Sequence, residues 1–148
     1  MRIAVIRLKG KRGITPTVKA TYVSLNLNRL YNCTLLPDTE GFRGMIQSCK
    51  DSVSYGPVDE QTILLLLSRR GMARDGKKLS ASRKPEEMAK LAKEIAASDK
   101  PLSAHAILPF FCLAPPRGGF DGGSKKAYAP FGPLGRNPNI GALLASMA

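Results

Sequence analysis

The run Lys9-Gly10-Lys11-Arg12-Gly13, followed by Thr15-Pro16 and Lys19, is the densest concentration of usable chemistry in the chain. Glycines let a backbone approach a ligand closely, and Lys11 and Arg12 supply positive charge. A helix opened by Thr15 as cap and Pro16 at its first position would present unpaired N–H groups beside them. That combination suits phosphate; the competing reading is a merely solvated loop. The spacing has the GxxG form that clamps nucleic-acid backbone in KH domains. There the loop joins two helices, whereas here a strand precedes it, so the chemistry carries over and the fold does not. A second stretch, Pro115 to Gly141, holds seven Gly, five Pro, four basic residues (Arg117, Lys125, Lys126, Arg136) and one acid, Asp121, in 27 positions. It buries too little to order alone and is expected to be mobile in the free protein. On RNA its glycines permit close approach, its four cations neutralise phosphates, and Phe120, Tyr128 and Phe131 stack on bases or dock to the body. A surface linker with incidental charge is the alternative.

Other chemistries find little support. Gly71-Met-Ala-Arg-Asp-Gly76-Lys77-Lys78 falls one residue short of a P-loop, with Lys78 where a magnesium-binding hydroxyl is required, and it follows a helix instead of a strand. Its lysines are read as a solvated turn. His105 is the only histidine and stands at the start of an apolar strand without a nucleophile or carboxylate in a recognisable pattern, so it reads as structural or superficial. Asp38, Glu40, Asp59, Glu60, Glu86 and Glu87 cluster at helix starts, where capping explains them. Cys33, Cys49 and Cys112 form no CxxC pair and read as buried or incidental thiols. No catalytic residue, metal or cofactor is therefore expected.

Charge narrows the partner. Lys and Arg total 23 against 11 Asp and Glu, a net charge of +12, which favours a polyanion. A membrane is not expected: the longest aliphatic run is Ile63 to Leu67, and Met1-Arg2-Ile3 opens no signal sequence. The chain reads as soluble and intracellular. Met1 to Pro37 carries seven basic residues and no acid, Asp38 to Lys100 is nearly balanced with twelve against ten, and the excess returns after Pro101 with four against one.

The elements that must hold these groups follow from periodicity. Ile3 to Leu8 is a strand covered on both faces. A helix of three to four turns follows from Pro16, with Val18, Tyr22, Leu25 and Arg29 at helical spacing. Asn32 to Pro37 is a second strand, and Asp38 or Thr39 caps a second helix with its stripe at Phe42, Met45, Ile46 and Cys49. Ser52 to Val58 is a third strand. A third helix from Asp59 stops at Gly71, a fourth starts at Pro85 with Met88, Leu91, Ala92 and Ile95 inward, Ala106 to Leu113 is one more strand, and Ile140, Leu143, Leu144 and Met147 form a terminal helix capped by Asn139. The class is α+β: a β-α-β-α-β core with a small three-stranded sheet over residues 1–58, then an extension over 59–148 made of helices, an extra strand and the Gly/Pro-rich basic segment, packed on the core as one domain.

The sequence from Ile3 to Gly71, with LPDTEGFRGMI at Leu36 to Ile46 and PPRGGF at Pro115 to Phe120, resembles the large-subunit ribosomal proteins of the universal L-thirty family, called L-seven in eukaryotes. These pieces cover about half the chain. Bacterial members end after the first unit and eukaryotic ones add a basic N-terminal extension, so the resemblance is to the archaeal form. Its terminal stretch, Ile140 to Ala148, is more apolar than the family's. The resemblance implies a two-helix face on a small sheet wrapped by the extra helices. It implies no enzymatic activity, residence in cytoplasmic ribosomes with a role in translation, and as partners the large-subunit ribosomal RNA near 5S RNA and neighbouring ribosomal proteins. Carried to matched positions, the RNA-facing residues are Lys9, Lys11, Arg12, Lys19, Arg43 and Arg117; Thr15, Lys125, Lys126 and Arg136 join them from the charge and loop reading. A non-ribosomal nucleic-acid-binding protein would show the same charge but should bind duplex DNA equally well, and a small RNA-processing enzyme would need a carboxylate or His105 for turnover.

Overall fold

The computed structural model describes residues 2–10, 12–82, 84–120, 123 and 132–148. The chain forms an α+β fold on a five-stranded mixed sheet of order β4-β2-β1-β3-β5. Central β1 (Arg2–Arg7) pairs antiparallel with both β2 (Asn32–Pro37) and β3 (Val53–Val58), placing Val5 opposite Thr34 on one side and Tyr55 on the other. Helix α1 (Pro16–Ser24) joins β1 to β2, and α2 (Glu40–Cys49) joins β2 to β3. Because β1 lies between β2 and β3, the second of these units is a split β-α-β. The rest of the chain adds α3 (Glu60–Arg70), α4 (Leu79–Ser82), α5 (Pro85–Ala97), a 3-10 turn at Leu102–His105, the short strands β4 (Phe111–Cys112) and β5 (Gly135–Arg136), and α6 (Ile140–Met147).

Alternation along β1 assigns the two faces. Val5 looks toward α1 and α2, where it meets Tyr22, Leu25, Leu27, Ile46 and Cys49. Ala4, Ile6 and Leu8 look the other way, into a cluster that also takes Ile63, Leu66 and Leu67 of α3, Ile95 of α5 and Ile140, Leu144 and Met147 of α6. The unusually apolar terminal stretch is thus explained by the burial of Ile140, Leu144 and Met147 against the sheet.

Several expectations are corrected. Helix α1 stops at Ser24, well short of four turns, since Asn26 adopts a left-handed conformation (φ 59°). Leu27 N–H bonds Tyr22 carbonyl and Asn26 N–H bonds Val23 carbonyl, the paired bonds of a Schellman ending. Leu25 stays buried beyond the helix, while Arg29 is exposed. Met45, expected inward, is 40% exposed; Ile46 and Cys49 alone are fully inward on α2. The strand expected over Ala106–Leu113 shrinks to Phe111–Cys112, because Ala106 has φ 58° and Pro109 offers no N–H for a ladder. Ile107 makes only an isolated bridge to Ala73. His105 lies in the 3-10 turn instead of a strand, with Nδ1 3.7 Å from the Glu94 carboxylate. Thr15, Thr39 and Asn139 occupy cap positions without making side-chain capping bonds. Helix α4, unforeseen in a polar loop, is anchored by buried Leu79.

Burial pushes the Cys33 thiol up to about 12 and the Cys49 thiol up to about 11, whereas Cys112 is exposed. Thiolates are the reactive species. Titration with a chromogenic disulfide reagent at pH 7.5 is therefore expected to modify one thiol per native chain rapidly and three after denaturation. Three fast thiols in the native state would contradict the buried positions.

Candidate nucleic-acid interface

The first basic loop hangs from a hydrogen-bonded stem. Leu8 and Lys9 both donate backbone N–H bonds to Ser52 carbonyl, at 3.0 and 3.2 Å. Arg7 donates from Nε to Lys9 carbonyl at 2.9 Å and from Nη1 to the carbonyls of Leu27 and Asn28 at 2.9 and 3.1 Å, with its guanidinium 4.2 Å from the centre of the Tyr22 ring. Arg7 is buried, and desolvation lowers its pKa against the opposing pull of Tyr22. It organises the loop from behind and is not available to a ligand.

In front of that stem, Lys9 is half-buried and Gly10, Arg12, Gly13 and Thr15 are exposed. Gly13 has φ 73°, a left-handed turn that leads the chain into α1 and that a side chain would strain. Lys19 is exposed in the second turn of α1, and Thr15 leaves the first-turn N–H groups without a side-chain cap. Anions are favoured at such an end. Arg29, exposed on the loop behind α1, adds a cation at the same end of the sheet that motif matching did not select. Its signal was only its place in the acid-free first quarter of the chain.

PPRGGF joins this end. Strand β4 runs antiparallel to β2 toward the C-terminal end of β1, and Leu113 N–H bonds Tyr31 carbonyl while Tyr31 N–H bonds Arg7 carbonyl. Beyond it Gly119 N–H closes a turn onto Pro116 carbonyl, with φ of 87° and 84° at Gly118 and Gly119. Phe120 then stacks on Tyr31, ring centroids 6.3 Å apart. Arg117 is exposed on this turn. The sequence-selected Lys9, Arg12, Thr15, Lys19 and Arg117 therefore share one end of the sheet, although 98 positions separate Arg117 from Lys19.

Arg43 and Arg136 do not belong to that end. They flank a cavity of about 480 Å³ between α2 and the β3–β5 edge. Arg43 is exposed but engaged: Nε and Nη2 bond both carboxylate oxygens of Asp38 at 2.5 and 2.6 Å, which holds the Asp38 pKa below the ordinary range. Lys11, Lys125, Lys126, Tyr128 and Phe131, and with them most of the expected mobility of the Gly/Pro segment, lie outside the described residues. The near-P-loop is a hairpin turn, with Ala73 N–H bonded to Lys77 carbonyl and Arg74 to Lys78 exposed, and forms no phosphate cradle. Among the described residues no three His, Cys, Asp or Glu side chains converge as metal ligands, and no helix is long and apolar enough to cross a membrane.

Two comparisons with known proteins agree. Residues 3–53 match the family model described as ribosomal protein L30p/L7e. The chain is 36% identical to the large ribosomal subunit protein uL30 of Methanococcus maripaludis, over 99% of each chain. It is 35% identical to that of Korarchaeum cryptofilum, over 98% of this chain and 94% of the relative, and 36% identical to that of Archaeoglobus fulgidus, over 97% and 98%. The likeness read from the first half and PPRGGF thus extends through α3 to α6. The chain belongs to the ribosomal protein L30p/L7e family, in its archaeal form.

Proposed function

We propose that this chain is a structural constituent of the large ribosomal subunit that grips ribosomal RNA with the basic end of its sheet. Family membership gives the ribosomal role and a place in the cytoplasmic ribosome, with ribosomal RNA and other ribosomal proteins as partners, and the family is one of structural proteins and not of enzymes. The finer reading rests on one observation: Lys9, Arg12, Thr15, Lys19 and Arg117 lie exposed or half-buried at the same end of the sheet, while Arg2 and Arg7, the cations of β1 itself, are buried. Residues 1–58 supply the loop and helix start, and 59–148 act as an extension that brings Arg117 to them. Lys11 completes the loop charge, Lys125 and Lys126 add phosphate contacts from the Gly/Pro segment, and Arg43 and Arg136 touch RNA at a separate place. The 5S RNA is the expected neighbour.

Binding of purified large-subunit RNA over a salt series tests this. Each phosphate contact adds about 0.7 to 0.9 to the slope of log affinity against log salt. Replacing Arg12 and Lys19 together by Gln is expected to reduce the slope by about 1.4 to 1.8 and weaken binding at low salt. An unchanged slope would remove the loop and α1 from the interface. Equally tight binding to duplex DNA would replace the ribosomal reading by that of a general nucleic-acid binder.

A further inference from the structure

We propose that the cavity between α2 and the β3–β5 edge is a pocket for one unstacked RNA nucleotide. The inference rests on the RNA-binding reading above and adds a site to it, away from the basic end. The pocket exists because α1 and α2 cover only part of their sheet face. Val5 and Val53 are sealed, whereas Ile3 and Tyr55 remain partly open toward the β5 edge. In the ladders Ile3 lies opposite Pro57 and Tyr55 beside Arg136, so all four side chains share that face.

The lining has the three parts a nucleotide needs. Ile3, Ile46 and Pro57 give an apolar floor, and Tyr55 gives an aromatic ring of the kind on which unstacked bases lie. Gln47 and the Asp38–Arg43 pair supply the polar edge. The pair uses only Nε and Nη2 of Arg43, so Nη1 can still donate, while the Asp38 oxygens retain acceptor capacity. Arg136 is exposed at the mouth with no acidic partner among the described residues, which suits a single phosphodiester. A volume of about 480 Å³ falls within the usual range for small-ligand sites, roughly 300 to 1,000 Å³. The site contains one unpaired guanidinium and no glycine-rich cradle, so it lacks the charge to hold the terminal phosphates of a free nucleoside triphosphate. A nucleotide within a polymer, held elsewhere by the basic end, needs no more.

The test uses the full chain bound to purified large-subunit RNA, irradiated at 254 nm and digested with trypsin and nuclease. A mononucleotide adduct is expected on Tyr55, the only aromatic residue of the tryptic peptide running from Asp51 to Arg69. Tyr55→Leu and Gln47→Ala are each expected to weaken RNA binding, by about tenfold for the stacking residue, without changing the salt slope. Arg136→Gln should lower that slope by about 0.7 to 0.9. Gln47 is exposed on α2, so its replacement leaves the fold intact even if Tyr55→Leu does not. Wild-type affinity in Gln47→Ala and Arg136→Gln, with no Tyr55 adduct, would overturn the pocket and leave the basic-end reading standing. Failure of the wild-type chain to bind the RNA at all would end both. Millimolar AMP that abolishes the adduct as efficiently as excess RNA would make the occupant a free nucleotide and overturn the polymer assignment.

Discussion

Arg2→Met is expected to lower the unfolding free energy by about 3 to 4 kcal/mol, from the loss of charge-assisted hydrogen bonds worth about 1.5 to 3 kcal/mol each. The side chain is 1% exposed. Its Nε donates to Ile95 carbonyl at 2.8 Å, and Nη2 donates to the carbonyls of Ser98 and Lys100 at 2.7 and 2.5 Å. The Ile95 and Ser98 oxygens end α5, where the helix dipole favours a cation, and Lys100 follows just beyond it. The guanidinium therefore serves as the C-terminal cap of a helix that begins 83 residues later in the chain. Burial lowers its pKa and Asp99 partly opposes that. Methionine keeps the apolar stem and deletes only the fork, leaving Ile95 carbonyl buried without a partner. Ser98 and Lys100 lie nearer water and recover part of the loss, which is why the figure is below the sum of three bonds. Arg2→Lys should recover less than half, since one ammonium cannot reproduce a planar fork. Urea unfolding should show a lower midpoint at an unchanged slope; a loss under about 1 kcal/mol would mean that α5 ends without this cap.

Gly56→Ala is expected to cost about 2 to 3 kcal/mol, the range for overpacking a site that cannot yield. A Cβ at Gly56 would overlap the carbonyl oxygen of Asn137 and lie 3.2 Å from both its carbonyl carbon and Ile140 Cγ2. Backbone cannot swing aside as a side-chain end can. Asn137 is fixed there by its N–H bond to Tyr55 carbonyl at 2.8 Å, and Ile140 is fully buried. The strain would therefore reach β5, the start of α6 and the position of Arg136 together. A fall in Tm of about 4 to 12 °C is expected for a chain of this size. Gly44→Ala, with open space around the new atom on α2, is the control and should stabilise by about 0.5 to 1 kcal/mol. An unchanged melting point for Gly56→Ala would mean that residues 135–140 do not pack against β3.

Periodicity made β1 to β3, α2, α3, α5 and α6 legible, because each buries one face and repeats at its own spacing. What escaped was set by partners distant in sequence. Strand β5 is a Gly-Arg pair with no pattern to read, and it is a strand only because Gly56 admits Asn137 so closely. Ala106 in a left-handed conformation interrupts an apolar run that otherwise reads as continuous strand. For the site, charge was visible but its direction was not. Arg2 and Arg7 stand in the same acid-free quarter as Arg12 and Lys19, and only pairing across the sheet reveals that they point inward. Arg117 could be matched by motif, whereas its place at that end of the sheet depends on β4 pairing with β2 and on Phe120 meeting Tyr31. The Asp38–Arg43 pair spans five positions across a helix start, and once α2 is placed it is the one contact that spacing could have disclosed.

The cluster that unites Ala4 and Ile6 with Leu144 and Met147 also sets a clock. A ribosome adds about 5 to 20 residues per second, so the 90 residues between Val58 and Ala148 take about 5 to 18 s to appear. During that interval the first three strands can pair and take α1 and α2 onto one side, and α3 and α5 arrive on the other, yet the ground that Ile140, Leu144 and Met147 will cover stays open until the last residues emerge. The newborn chain thus carries a partly open apolar sheet face for seconds, and that face closes only when α6 arrives.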